Sequence, residues 1–456
     1  MKKEAKQTKE FDKIPTTRIQ RASKFIATGA KIGTNYLKHY SKRLVNPDTT
    51  REELHNDNAR DIYASLSELK GSALKVAQML SMDKNLLPTA YQQKFAMAQY
   101  SAPPLSYPLV VKTFQNSFGK GPEEIFDTFT RRAANAASMG QVHKATVKGP
   151  ARFDGDHRTA SDDLTLAVKI QYPGVADSVK SDLAMVKPIA LTMFNLNAAE
   201  YDEFIGEVEL RMTEETDYNL ELKRSTELSA KCRHIPNLVF PEYYPRYSTG
   251  KILTMDWIEG KPLGDVDLSA IPAGVGTRLG QAMWDFYHYQ MHRLKAVHAD
   301  PHPGNFIITP DYKLGIIDFG CVKVIPTKFY NTYFQLMDPD FLKDEKKMEK
   351  VFYDLHFIYP DDTAKDKKFF KELFYKLVEL LGRPFRSETF DFSKKNYFET
   401  LYGFGEELTT MKELRQSKKA RGVRDAIYLN RTYFGLYNLL HDLKAKINIS
   451  HWEKTL

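Results

Sequence analysis

Two short apolar runs, Phe306–Thr309 and Leu314–Ile317, flank a Pro310-Asp311-Tyr312 turn and predict a β-hairpin late in the chain. Upstream, Val142–Val147 alternates apolar and polar positions as a half-buried strand does, and Leu164–Gln171 predicts its neighbour, with polar Gly149–Asp163 as a long hairpin tip. Phe126–Thr130, Val239–Phe240 and Lys251–Trp257 read as further strands. Elsewhere a helical period dominates: Pro15–Leu44, Arg51–Met97, Asp177–Leu228, Val275–Leu294 and everything beyond Pro326. The fold class expected from this order is α+β. Pro88 and Pro103-Pro104 punctuate the end of the second helical block.

Composition locates rather than changes this picture. The 456 residues exceed one ordinary domain, so two cores are expected. The net charge of +8 is concentrated in one helix: Arg18, Arg21, Lys24, Lys31, Lys38, Lys42 and Arg43 occur with no acidic residue between Lys13 and Pro47. Ile19, Phe25, Ile26, Ile32, Tyr36, Leu37 and Tyr40 recur there at helical spacing. Such a helix can lie on an anionic membrane, dock to an acidic partner, or pack on the body of the protein. No apolar run reaches the length of a membrane span, and the N-terminus lacks the apolar core of a secretory signal, so a cytoplasmic protein with at most peripheral membrane contact is expected. Cys232 and Cys321 are too few for a disulfide scaffold or a cysteine-built zinc site. Nucleic acid is not an expected partner.

The chemistry gathers around the hairpin. Asp300 and Asn305 precede it and Asp318 closes it, giving oxygen ligands suited to Mg²⁺ with one further carboxylate beside them. Asp-x4-Asn followed by Asp-Phe-Gly is the phosphoryl-transfer signature of protein-kinase-like enzymes. Lys169 stands inside a predicted strand, preceded by a small-residue loop, Arg132–Gln141, that is rich in alanine where kinases carry glycines. Alanine restricts positive φ, so fewer backbone N–H groups can curl around phosphates. Glu221 suits a partner for Lys169. Glu215 lies nearly two turns away on the same predicted helix and needs another role.

Lys75-Val76-Ala77-Gln78, the alanine-rich loop, Lys169, Glu215-x-Asp217 with Glu221, His298-Ala299-Asp300-x-His302-Pro303-Gly304-Asn305 and Asp318-Phe319-Gly320 together resemble the UbiB (AarF) family of atypical protein-kinase-like proteins. The resemblance covers nearly the whole chain from about Pro15. It implies a bilobal kinase-like fold: residues 1–13 a disordered basic N-terminus, 14–105 a helical extension, 106–258 an N-lobe, and 259–456 a C-lobe with a helical C-terminal extension. It implies ATP with Mg²⁺ as cofactors, and ATPase or small-molecule kinase activity on a lipid-related or quinone-precursor acceptor at an anionic membrane, with protein partners possible. The implied nucleotide contacts are Ala134, Asn135, Ala136, Ala137, Ser138, Met139, Val142, Lys169, Glu221, Met255 and Ile258. Asp300 is the implied catalytic-loop carboxylate alongside catalytic Lys169, and Asn305 and Asp318 are the implied metal ligands. Lys75 and Gln78 match the family's KxGQ motif, which is expected to lie over the active site, and Glu215 and Asp217 its ExD partner. Two departures stand out. Ala77 replaces the KxGQ glycine, and Asn135 replaces an alanine of the loop.

Overall fold

The structure is a computed structural model; it describes residues 18–46, 51–69, 105–136, 139–148, 163–194, 206, 208–210, 212–411, 413–414, 417, 419 and 421–455. The described chain divides into two compact units, Met1–Lys223 with Glu242–Trp257, and Arg224–Pro241 with Ile258–Leu456.

The first unit is built on an antiparallel sheet of β1 (Thr128–Phe129), β2 (Asn135–Ala136), β3 (Gly140–Val147), β4 (Leu164–Gln171) and β6 (Ile252–Asp256). β4 is central, with Lys169 opposite Val142 on one side and Leu253 on the other. Period-two alternation then separates its faces. Leu166, Val168 and Ile170 enter the larger apolar cluster with Phe114, Phe126 and Val179, while Ala167 joins a smaller cluster with Leu253, Met255 and Tyr218. The predicted strand at Phe126–Thr130 is reduced to Thr128–Phe129, because Phe126 is committed to the core.

Helices α1 (Arg18–Val45) and α2 (Arg51–Leu69) pack together, and α3 (Tyr107–Phe118) and α4 (Val175–Phe194) complete this unit's core. The apolar residues of α1 do not form one inward face. Ile32 is buried, but Ile26, Leu37 and Tyr40 are 73%, 71% and 52% exposed. The buried side of α1 is polar instead: Arg21 donates from Nε and Nη2 to Asp182 of α4 at 2.7 and 2.5 Å, and Asn35 donates to Asn58 and Asp61 of α2.

The expected single helix over Asp177–Leu228 is broken. α4 is described as far as Phe194, residues 212–215 are helical, and α5 (Tyr218–Cys232) starts afresh after Asp217. Asp217 causes the restart, since its Oδ1 accepts from the backbone N–H of Asn219 and Leu220 as an N-cap does.

In the second unit β5 (Leu238–Val239), β10 (Leu314–Ile316), β9 (Phe306–Ile308) and β7 (Lys261–Pro262) form a sheet in that order, in which β9 and β10 are the predicted hairpin. α6 (Val275–Tyr289) continues through a π-helical turn, Gln290–Leu294, to β8 (Ala296–His298), which pairs with β11 (Val322–Val324). The remainder is helical: α7 (Thr327–Tyr333), α8 (Glu345–Asp354), α9 (Ala364–Gly382), α10 (Lys395–Thr410), α11 (Arg424–Asp442) and α12 (His451–Thr455). The all-helical expectation beyond Pro326 fails at one place. β12 (Thr389–Asp391) pairs with β13 (Lys446–Asn448), two strands too short and too far apart in sequence to leave a local period.

The C-terminal segment is sutured to α6. Gln281 and Asn448 exchange hydrogen bonds, Trp284 Nε1 donates to the Ile449 carbonyl, and Asp285 meets His451 at 2.6 Å. Gly276 and Gly280 make the approach possible, because a Cβ on either would lie 2.1 Å from the Leu443 carbonyl or 2.4 Å from the Ala445 Cβ.

Candidate active site

In the first unit, Lys169 Nζ donates to Glu221 Oε1 at 2.7 Å, with the two side chains 16% and 2% exposed. Glu221 sits in the first turn of α5, where the helix N-terminus favours a negative charge. Tyr218, one turn earlier on the same face, places its ring 5.1 Å from Lys169 Nζ and its hydroxyl beneath Gly140. A Cβ at Gly140 would come within 2.6 Å of the Ile170 carbonyl and 2.8 Å of that hydroxyl, so only glycine fits at the end of the alanine-rich loop. Tyr218 is absent from the sequence-derived set; its spacing of three from Glu221 was the available signal.

Val142, Ala167, Met255 and Trp257 share the small apolar cluster on the face of β4 that carries Lys169. This is a surface onto which an aromatic base can stack. Of the expected nucleotide contacts, Val142 and Met255 are therefore brought beside Lys169 and Glu221. Met139 is not: its side chain enters the larger cluster with Ala145 and Val168, because the chain turns across the sheet at Gly140. Ile258 belongs to the second unit and packs on Gly315. Ala134 and Asn135 are exposed, and the Ala134 N–H donates to the Val142 carbonyl while Asn135 and Ala136 pair as β2 with β3. Ala137, Ser138, Lys75 and Gln78 lie outside the described residues.

The break before α5 also corrects the reading of Glu215 and Glu221 as two points on one helix. Glu215 is half-buried at the end of the preceding helical stretch, and Asp217 serves as the cap described above.

In the second unit, two antiparallel pairs bracket two loops. β8 with β11 sets His298 opposite Val322, and β9 with β10 sets Phe306 opposite Ile316. The loops between, 299–305 and 317–321, therefore lie side by side, tied by Ala299 N–H to the Cys321 carbonyl and Ile317 N–H to the Asn305 carbonyl. Asn305 Nδ2 donates to both the backbone carbonyl and Oδ2 of Asp300, at 3.0 and 3.2 Å. That orientation turns the Asn305 amide oxygen away from Asp300. Asp318 Oδ1 accepts from the Gly320 N–H, which fixes its rotamer. The oxygen donors of Asn305 and Asp318 are a hard set of the kind Mg²⁺ takes, so the residues present fit that cation.

His298, 1% exposed, supports both loops. Its Nε2–H donates to the Asp318 carbonyl at 2.6 Å, Nδ1 faces the Tyr287 hydroxyl at 3.2 Å, and its backbone N–H donates to Gln290 in the π-helical turn. Burial, with the nearby Asp300 charge, pushes the Tyr287 hydroxyl well above its ordinary pKa, so it is neutral. Phe319 is fully buried against Phe286 and His298. Gly435 of α11 abuts Pro301, where a Cβ would lie 2.4 Å from the proline ring. His298 and Gly435 are positioning residues that sequence reasoning missed; His298 stood within the quoted motif, whereas nothing local marks Gly435.

A Lys–Glu pair on a five-stranded antiparallel sheet, and an Asp-x4-Asn loop braced against Asp-Phe-Gly in a helical unit, define the protein-kinase-like fold class. A family model described as the ABC1 atypical kinase-like domain matches residues 97–352, more than half of the chain. The chain belongs to that family. It is 25% identical over 417 residues to the mitochondrial atypical kinase COQ8 of Saccharomyces cerevisiae, covering 88% of this chain and 78% of that protein. It is 26% identical over 383 residues to an uncharacterised aarF-domain-containing chloroplastic protein kinase of Arabidopsis thaliana, covering 82% of this chain. The chain spans about half the length of that relative, 51%. Among solved structures it resembles Rv3197 of Mycobacterium tuberculosis, determined with erythromycin, with a TM-score of 0.56 and 24% identity over 89% of this chain and 96% of that one; this likeness concerns the fold.

Proposed function

We propose that the chain binds Mg-ATP and transfers the γ-phosphoryl group to water or to a small lipid-related acceptor, such as a quinone-precursor phenol, at a membrane surface. The observation that carries the reading is Asn305, which holds the Asp300 carboxylate with its amide nitrogen while its backbone carbonyl accepts from the N–H of Ile317, the residue before Asp318. Asp300 accepts the proton of the attacking hydroxyl as the new oxygen–phosphorus bond forms and the bond to ADP breaks. Asn305 and Asp318 would hold a divalent cation, which when bound would supply positive charge to the transferred phosphoryl group. Lys169, held in place by Glu221, anchors the α- and β-phosphates, and Val142 and Met255 present the apolar face to the base. No helix among the described residues is long and apolar enough to cross a membrane. Contact with an anionic surface is assigned to α1, and membership of the ABC1 atypical kinase-like family supports a role in isoprenoid quinone or lipid metabolism. Neither cysteine is in a disulfide, which suits a reducing compartment such as the cytoplasm.

A second reading, a nucleotide-gated binding module, is favoured by the strand pairing of the alanine-rich loop, which commits the Ala134 N–H to the sheet rather than to phosphate. Phosphate release and nucleotide binding, measured side by side, separate the two. Asp300→Asn is expected to lower turnover by on the order of a hundredfold with binding retained. Asp318→Asn is expected to weaken Mg-ATP binding itself. Undiminished turnover in Asp300→Asn moves the assignment to the binding module.

A further inference from the structure

Away from these groups, the second unit has a cleft of about 480 Å³ between the 3₁₀ turn Arg383–Arg386 that follows α9 and the β12–β13 pair. That volume is in the range of small-molecule sites. Its lining includes Arg383, Arg386, Lys394 and Lys446, with Phe390 as an apolar wall and Asp391 as the one carboxylate.

The two arginines are fixed before any ligand arrives. Glu379 receives Arg383 Nε and Nη2 at 3.2 and 2.9 Å and Arg386 Nη1 at 3.4 Å, and the Arg383 guanidinium stacks 5.6 Å from the Tyr397 ring. One carboxylate thus serves two guanidinium groups and leaves one positive charge in excess. Asp391 is occupied by its own loop: its Oδ1 accepts from the Ser393 N–H and hydroxyl, and the hydroxyl bond, ahead of the nearby Lys394 and Lys446 charges, holds its pKa low. Among the described residues neither Lys394 nor Lys446 forms an ion pair within 4 Å. The cleft and its supports carry two more cations than carboxylates. A phosphomonoester near neutral pH has a charge of about −1.5 to −2 and three acceptor oxygens, which matches that excess. Guanidinium forks favour phosphate over monodentate anions.

We propose that this cleft is a second ligand site, for a phosphomonoester or pyrophosphate group borne by an organic molecule whose apolar part rests on Phe390. The donor arrangement is the same for a soluble phosphate ester and for the phosphomonoester headgroup of a lipid. The cleft shares no residue with the Asp300, Asn305 and Asp318 set, so its occupancy does not depend on turnover.

The test uses the full chain and the variant Lys394→Glu/Lys446→Glu, two exposed side chains whose reversal leaves the core untouched. Pyrophosphate is titrated calorimetrically in EDTA, which removes divalent metal, and phosphatidylcholine vesicles with and without phosphatidic acid are co-sedimented in parallel. Mg-ATP binding serves as the folding control. The expected result is that the variant keeps Mg-ATP binding but loses affinity for pyrophosphate, for phosphatidic acid vesicles, or for both, by on the order of tenfold or more. Loss confined to pyrophosphate assigns a soluble ester, and loss confined to vesicles assigns a lipid headgroup. Equal binding of both probes by the two proteins overturns the proposal, as does absence of binding by the unmodified chain.

Discussion

His298 Nε2 lies 2.6 Å from the backbone carbonyl of Asp318, so the residue two positions before Asp300 holds Asp318, the proposed metal ligand, through the main chain. His298→Phe keeps the ring contacts with Phe306 and Phe319 but removes the donor. The expected outcome is a rise in KM for Mg-ATP and a fall in kcat, together on the order of tenfold, since the half-buried Asp318 carbonyl loses its partner at about 1 kcal/mol or more. Steady-state kinetics with a melting curve check it; unchanged kinetics would remove His298 from the site.

Lys169 and Glu221 make a second, separable prediction. Lys169→Met leaves a carboxylate that is 2% exposed without its cation, and stability is expected to fall by about 3 kcal/mol or more. Lys169→Met with Glu221→Leu replaces both charges by apolar groups and should recover most of that loss. Nucleotide affinity should not recover. Chemical denaturation and nucleotide titration on the three proteins measure the two effects independently.

Acid should loosen the second unit through α6 and its π-helical turn. Burial drives His288 down to about 3, and burial together with the charges of His288, Lys295 and Arg293 drives His292 down to about 2. Both are neutral when folded but bind protons near their ordinary pKa of about 6.5 when unfolded. Their contribution is therefore complete above pH ~6.5 and is lost as pH falls toward the folded values, at roughly 1 kcal/mol per pH unit for each histidine. Trp284 stacks on His288 at 3.8 Å and Trp452 on His292 at 4.4 Å, so tryptophan fluorescence reports the transition. His288→Asn should move the acid midpoint downward.

The exposed stripe of α1 yields a prediction about membranes. Ile26 and Leu37 are eleven residues apart, three helical turns, and Lys24, Lys31 and Lys38, also exposed, stand on the same helix. Each basic residue near an anionic surface contributes roughly 1 kcal/mol, and the apolar side chains add insertion. Ile26→Glu/Leu37→Glu in the full chain should abolish co-sedimentation with anionic vesicles at low salt while leaving the Arg21–Asp182 contact and the melting temperature intact. Equal sedimentation of both proteins would make the helix purely structural.

These residues also show where sequence was informative. The hairpin carrying Asp318 and the strand carrying Lys169 were legible because each is a local period with its chemistry inside it. The outward face of α1 was not, because hydrophobicity predicts burial only when the opposite side of a helix cannot be buried more favourably; here Arg21 finds Asp182 161 residues away. The start of α5 turned on the Asp217 side chain capping two N–H groups, a signal hidden in an acidic stretch that otherwise continues the helical period. The β12–β13 pair and the Gly435–Pro301 contact depend on partners more than fifty residues distant, and no window along the chain contains both.

The seating of residues 443–451 on Gly276, Gly280, Trp284 and Asp285 has a consequence for how this protein is made. α6 emerges from the ribosome long before the segment that covers it, and until that segment follows, its glycine-notched, tryptophan-bearing side has no native cover. The unit holding Asp300 and Asp318 therefore lacks the native cover of α6 until the segment from Leu443 onward has been translated.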